Sequence, residues 1–186
     1  MTDSLAEHYL EDAAKVFRGQ KKLADGAVAQ VSDEEFFRAI DPESNSLAVI
    51  VQHVAGNQLS RWRDFLSSDG EKPDRDRDAE FELRASASRA SVMARWNAGW
   101  VLTLATIGAL EPEDLLRTVA VRGEPHTVLE AIDRQLAHYA QHCGQIVFLA
   151  KHLAGASWRT LSIPRGRSRE VEVAKDGDPY RPEPER

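Results

Sequence analysis

Cysteine is almost absent: Cys143 stands alone, so no intrachain disulfide can form and the fold must rest on a packed core. Long apolar runs are missing too. A membrane helix needs ~20 consecutive apolar residues, and the most apolar stretch, SLAVIVQHVAG, is interrupted at Gln52 and His53. The opening MTDSLAEHYLEDAAK lacks the basic-then-apolar order of a secretory signal, so a cytoplasmic location is the default expectation, with no membrane partner. Positive charge is also short. With 24 Lys and Arg against 30 Asp and Glu, the formal net charge of -6 offers no basic footprint for phosphates, and nucleic acid is set aside as a partner. There is no phosphate-cradling glycine loop, no Cys-x-x-Cys pair and no Ser-His-Asp order, which removes the commonest nucleotide, redox and nucleophilic-triad chemistries.

What is present suits one folded domain, since 186 residues with 42% apolar content can bury a sizeable core. Leu5, Tyr9, Ala13, Val16, Phe17 and Leu23 recur at helical spacing and predict a first helix over about 4–23. A short SDEEFF segment follows. Asp41-Pro42 and Asn45-Ser46 supply breaker and capping chemistry before a second helix over about 47–66. The segment SSDGEKPDRDRDAE, dense in charge, reads as a solvated crossover loop. Leu83, Met93, Trp96, Trp100, Leu104 and Ile107 predict a third helix over about 81–110, ended by Pro112. TVAVRGEPHTV combines β-branched alternation with a glycine turn and predicts a short β-hairpin, before a fourth helix over about 129–153. The expected class is therefore all-α, a four-helix bundle occupying residues 1–155. Residues 156–186, rich in Pro, Arg and Glu, read as an extended C-terminal tail or arm of the same domain with one strand at VEVA. Ile163, Val171 and Val173 on that tail would need cover, which points to a homodimer.

Chemistry rests on the histidines. On the fourth helix Val128, Ile132, Leu136, Tyr139, Cys143, Ile146 and Ala150 form one core-facing stripe, while His138 and His142 lie on an adjoining stripe with Gln135, Gln145 and Leu149. Residues at i and i+4 are ~6 Å apart along a helix, so both imidazoles can converge on one ion at ~2.0 Å. A third ligand must come from another helix, and His53 lies in the middle of the second, beside a stripe of Leu47, Val51, Val54, Gln58 and Phe65. With six histidines in the chain, one pair at this spacing arises readily by chance, so spacing alone does not separate ligands from ordinary half-buried histidines. His8, His126 and His152 have no partner at ligand spacing and read as surface or loop residues. Asn57, one turn after His53, and Gln135, one turn before His138, are candidates to orient a ligand or touch a substrate, with an interhelical hydrogen bond the alternative for Asn57. Cys143 reads as a buried, inert thiol, and Trp62, Trp96 and Trp100 as core.

One histidine in the second helix and a His-x-x-x-His pair in the fourth resemble the DinB/YfiT-like superfamily of proposed metalloenzymes. The likeness extends to QHVAGNQLSRWRDFLSSDGEKPDRDRDAEFE, RGEPHTVLEAIDRQLAHYAQHCGQIVFLAKHL and LSIPRGRS, which look like one subgroup known only as a domain of unknown function. That subgroup often carries an aromatic after GEKP, where this chain has Asp74, so the loop gives no support for an apolar ligand. The resemblance implies that His53, His138 and His142 hold one divalent metal, zinc or nickel foremost, with iron, cobalt and copper also compatible. It also implies thiol-transfer chemistry with a low-molecular-weight thiol such as bacillithiol or mycothiol, or failing that hydrolysis. Three neutral imidazoles leave an open position on a zinc-like ion, which can lower the pKa of a bound water or thiol. The alternative is a non-catalytic bundle that the metal braces as a binding or interaction protein.

Overall fold

The computed structural model describes residues 4–169. The first helix, α1 (Leu5–Val28), begins with a capping box in which the Ser4 hydroxyl accepts from the Glu7 amide and the Glu7 carboxylate accepts from the Ser4 amide. It continues a turn beyond the expected Leu23, because Ala24, Ala27 and Val28 are buried and Gly26 packs under Leu161. A second capping box, Ser32 with Glu35, starts the short helix α2 (Asp33–Phe37), which buries Phe36 completely.

Ser46 caps α3 (Leu47–Arg61), accepting from the Val49 amide. This helix is buried on nearly every side, including His53, Asn57, Gln58 and Arg61, and so shows no clean polar face. It stops at Arg61 rather than near Leu66; Trp62 closes it, and Asp64 then takes a left-handed φ of 49° that no helix can carry.

The crossover that follows is largely exposed, as its charges suggest, but it is pinned to the fold at a few buried residues. Ser60 Oγ donates to the Gly70 carbonyl at 2.9 Å and accepts from the Lys72 amide at 3.0 Å, and both Lys72 and Glu80 are buried. Gln52 Nε2 reaches the carbonyls of Glu80 and Glu82 at 2.9 and 3.0 Å, which pins a 3₁₀ turn over Ala79–Phe81 against α3. The expected third helix accordingly starts later than Phe81, as α4 (Arg89–Gly108), where Ser88 and Ser91 supply the cap.

Two strands, β1 (Thr118–Val121) and β2 (Glu124–Thr127), pair antiparallel with Val121 opposite Glu124. Arg122 and Gly123 make the two-residue turn, both with positive φ, the conformation that suits the right-handed twist of a hairpin. Asp69 clamps this turn to the crossover, its carboxylate accepting from the amides of Arg122 at 2.9 Å and Gly123 at 2.7 Å. The chain passes directly into α5 (Val128–Ala154), capped by Thr127 and Glu130 and ended at Gly155 with φ 53°.

The molecule is thus mostly helical with one small antiparallel sheet, as expected. Helix α3 packs chiefly on α4 and α1 on α5, while further contacts of α1 with α4 and of α3 with α5 join the two pairs. At the centre Phe17, Trp62, Trp100 and Tyr139 meet with ring centroids 5.7–6.3 Å apart, mostly edge-on. Such aromatic pairs add roughly 0.5–1.5 kcal/mol beyond the area they bury. The first part of the expected tail is docked rather than extended: Trp158 and Leu161 pack on the core, and Gln30 exchanges two hydrogen bonds with the Arg159 backbone. Ile163 is partly exposed, whereas Val171, Val173 and the VEVA segment lie outside the described residues.

Candidate metal centre

A four-residue spacing places His53, Asn57 and Arg61 along one face of α3. That face meets α5 where Gln135, His138, Tyr139 and His142 lie. Tyr139 joins the two helices: its hydroxyl accepts from Trp62 Nε1 at 3.1 Å and donates to Asn57 Oδ1 at 3.0 Å. Asn57 therefore makes the interhelical hydrogen bond that was one of its two sequence readings, and it fixes the register at which His53 faces the α5 histidines.

All three candidate ligands come together. His53, His138 and His142 each offer a ring nitrogen, and these atoms lie within 4.8 Å of one another. The ring centroids are 4.6–5.5 Å apart. His138 Nε2 and His142 Nε2 face each other at 3.1 Å. A tetrahedral ion with bonds of 2.0–2.1 Å separates its ligand nitrogens by roughly 3.3 Å, so this pair already stands near the spacing that a shared ion demands.

The outer nitrogens decide which atoms are free to coordinate. His142 Nδ1 lies 2.8 Å from Gln145 Oε1, and His53 Nδ1 lies 2.9 Å from Glu80 Oε2. Both oxygens are acceptors, so each Nδ1 carries the proton and each Nε2 presents a lone pair. On His138 the arrangement is incomplete, because Nδ1 is buried with no hydrogen-bond partner among the described residues. Two Nε2 atoms at 3.1 Å are compatible only with a proton or a cation between them. Burial pushes the pKa of His138 down to about 3, with the neighbouring His142 and His53 and the charges of Arg75 and Arg61 acting in the same direction. His142 is lowered by burial as well, against the opposing hydrogen bond to Gln145. Both imidazoles are neutral at pH 7, the form that binds metal.

Glu80 and Arg75 are the residues that sequence reasoning missed. Arg75 grips Glu80 with two parallel bonds, Nε to Oε1 and Nη2 to Oε2, each 2.8 Å, and its Nη1 reaches Glu71 Oε2 at 3.0 Å. Burial opposes ionisation of Glu80, but the hydrogen bonds and charges of Arg75 and His53 outweigh it and hold the carboxyl below its ordinary value. One signal was available in the sequence: Gly56 sits in the middle of an otherwise apolar helix. A Cβ there would lie 2.3 Å from Glu80 Oε1, so only glycine lets the carboxylate approach.

None of the remaining candidates supplies one of the three converging ring nitrogens. His8 and His152 are exposed and His126 is half-buried on β2. Gln135 is buried, with Oε1 unpaired among the described residues. Cys143 is buried, and burial followed by the nearby Asp25 pushes its thiol up to about 12, which leaves it protonated at neutral pH.

The fold and site define a helical protein with three convergent histidines. The chain belongs to the family described as a protein of unknown function, DUF1572, whose pattern it matches over residues 4–167, nearly its whole length. No curated protein matches it. Among the described residues no helix is long and apolar enough to cross a membrane.

Proposed function

We propose that this chain is a four-helix bundle of the DinB/YfiT-like type that binds one divalent metal through His53, His138 and His142. The observation that carries the reading is the 3.1 Å approach of the His138 and His142 Nε2 atoms, with the outer nitrogens of His53 and His142 already tied to acceptors. Half-buried to buried imidazoles held in this way are a nitrogen donor set suited to zinc or nickel. An ion held by these three histidines would keep its full charge and would supply the chemistry of lowering the pKa of a water or a small thiol.

The protein's own part is to hold three ring nitrogens close together and, for His53 and His142, to keep the proton on the far side of the ring through Glu80 and Gln145. It supplies no thiol for the reaction, since Cys143 is buried and protonated. The activity we propose is therefore transfer of an exogenous low-molecular-weight thiol, with hydrolysis as the reading if no thiol is used. Elemental analysis of purified protein tests the binding step. About one ion per chain is expected in the wild type and in His8→Ala, with near-complete loss in His138→Ala; equal retention by all three would sink it.

A further inference from the structure

We propose that Glu80, held by Arg75, is a positioning residue that fixes the proton of His53 on Nδ1 and so sets the affinity of the histidine cluster for its ion. This rests on the reading of His53, His138 and His142 as a metal site. Two contacts from the crossover converge on His53, and two residues of α3 hold the crossover in place to make them. The Glu80 carboxylate takes the Nδ1 proton at 2.9 Å in a setting where both side chains are buried. The Phe81 ring stacks on the imidazole, with centroids 4.6 Å apart and planes 28° from parallel, which limits rotation of the ring. Gln52, the residue before His53, ties down the carbonyls on either side of Phe81. Gly56, one turn on, leaves the space that Glu80 Oε1 occupies.

Arg75 completes the arrangement. Both Glu80 oxygens accept from Arg75, Oε1 from Nε and Oε2 from Nη2, so the oxygen that faces His53 acts as an acceptor, Nδ1 donates to it, and Nε2 is the nitrogen left for His138 and His142. Buried ion pairs of this kind seldom add net stability over an apolar pair of the same shape. Their presence on this histidine, and not on the outer nitrogen of His138, points to ligand orientation. A carboxylate on the outer nitrogen also makes an imidazole a better donor, and loss of such partners typically weakens metal binding by about 10–100-fold.

The test combines chelator-competition titration of zinc, in wild type and Glu80→Gln, with ¹⁵N NMR of the His53 side chain in metal-free wild type. The expected result is zinc binding weakened by about 10–100-fold in the variant, with His53 protonated on Nδ1 in the wild type. Folding of the variant is followed by circular dichroism. Equal affinity in a folded Glu80→Gln overturns the role of Glu80 and leaves the metal reading standing. If the variant does not fold, the tautomer decides, and a proton on His53 Nε2 overturns the proposal. Wild type that takes up no zinc removes the metal reading, and the Glu80 role falls with it.

Discussion

The aromatic cluster of Phe17, Trp62, Trp100 and Tyr139 and the histidine cluster of His53, His138 and His142 occupy adjoining parts of the interior, and the His138 and Tyr139 rings are only 5.5 Å apart. They treat their polar atoms differently. In the aromatic cluster the Trp62 indole, the Tyr139 hydroxyl and Asn57 form a relay, and among the described residues Trp100 Nε1 and the Gln58 amide, which packs against Gly99, lack partners. Around the histidines His138 Nδ1, Gln135 Oε1 and two nitrogens of the buried Arg61 have no partner among the described residues. A buried polar atom without a partner costs about 1–3 kcal/mol. The first region packs the centre of the fold, while the second holds three imidazoles facing one another with buried polar atoms left unpaired. That asymmetry is what a ligand site looks like from the viewpoint of the core.

The comparison breaks most visibly on the aromatic side. Trp100→Ala should destabilise the protein by about 3–5 kcal/mol, roughly 6–20 °C in thermal midpoint, because its fully buried ring contacts three others. Whatever remains folded should still gain stability on adding zinc. A Trp100→Ala protein that has lost the zinc response at temperatures where it is folded would show that the two regions are not separable.

On the histidine side the expectation is reversed. Zinc at a hundredfold excess over its dissociation constant should stabilise the wild type by about 2.7 kcal/mol. His138→Ala should abolish that gain while leaving the metal-free midpoint within a few degrees, since it removes an imidazole that has no partner on Nδ1. Calorimetry with and without zinc reads both quantities. A large loss of metal-free stability in His138→Ala would mean that the histidines are structural core.

Gly56→Ala sharpens the boundary between the regions. Alanine gains about 1 kcal/mol of helix propensity over glycine, but its Cβ would displace the Glu80 carboxylate from 2.3 Å away. Zinc affinity should fall although the helix itself is improved, and titration calorimetry checks the sign. Unchanged affinity would show that the space beside Gly56 does not serve the histidines.

The smallest effect concerns the hairpin clamp. Backbone hydrogen bonds from Glu71, Gly123 and Arg122 outweigh partial burial and hold the Asp69 carboxyl below its ordinary value. Its folded-state pKa is lower than its unfolded one, so its contribution is present above the ordinary aspartate value near 3.8 and is lost as pH falls through the folded value. Asp69→Asn should lower the thermal midpoint slightly at pH 7 and flatten its dependence on pH below about 4. An identical acid profile in both proteins would contradict the clamp.

Much of this was legible in the residues because the signals were local. Asn45-Ser46 marks a helix start, the glycine turn within TVAVRGEPHTV marks the hairpin, and the spacing of His138 and His142 marks two candidate ligands. What stayed hidden depends on distant partners. Glu80 meets His53 across 27 residues, and on the page it is one more charge in a run of Asp and Arg. Helix α4 was placed too early because Phe81 and Leu83 extend the apolar spacing, while in three dimensions Phe81 stacks on His53 and Ser88 begins the helix. On helix α3 the sequence singles out His53 and Asn57 but not Arg61, because the helix is buried almost all round and offers no polar contrast against which a further polar residue stands out.

X-ray absorption at the metal edge of the zinc-loaded wild type is the most direct test of the central claim. Three imidazole nitrogens at about 2.0–2.1 Å, with the imidazole signature diminished in His138→Ala, are the predicted result. A coordination shell without imidazole scattering, or a spectrum unchanged by His138→Ala, would contradict a metal centre built from His53, His138 and His142.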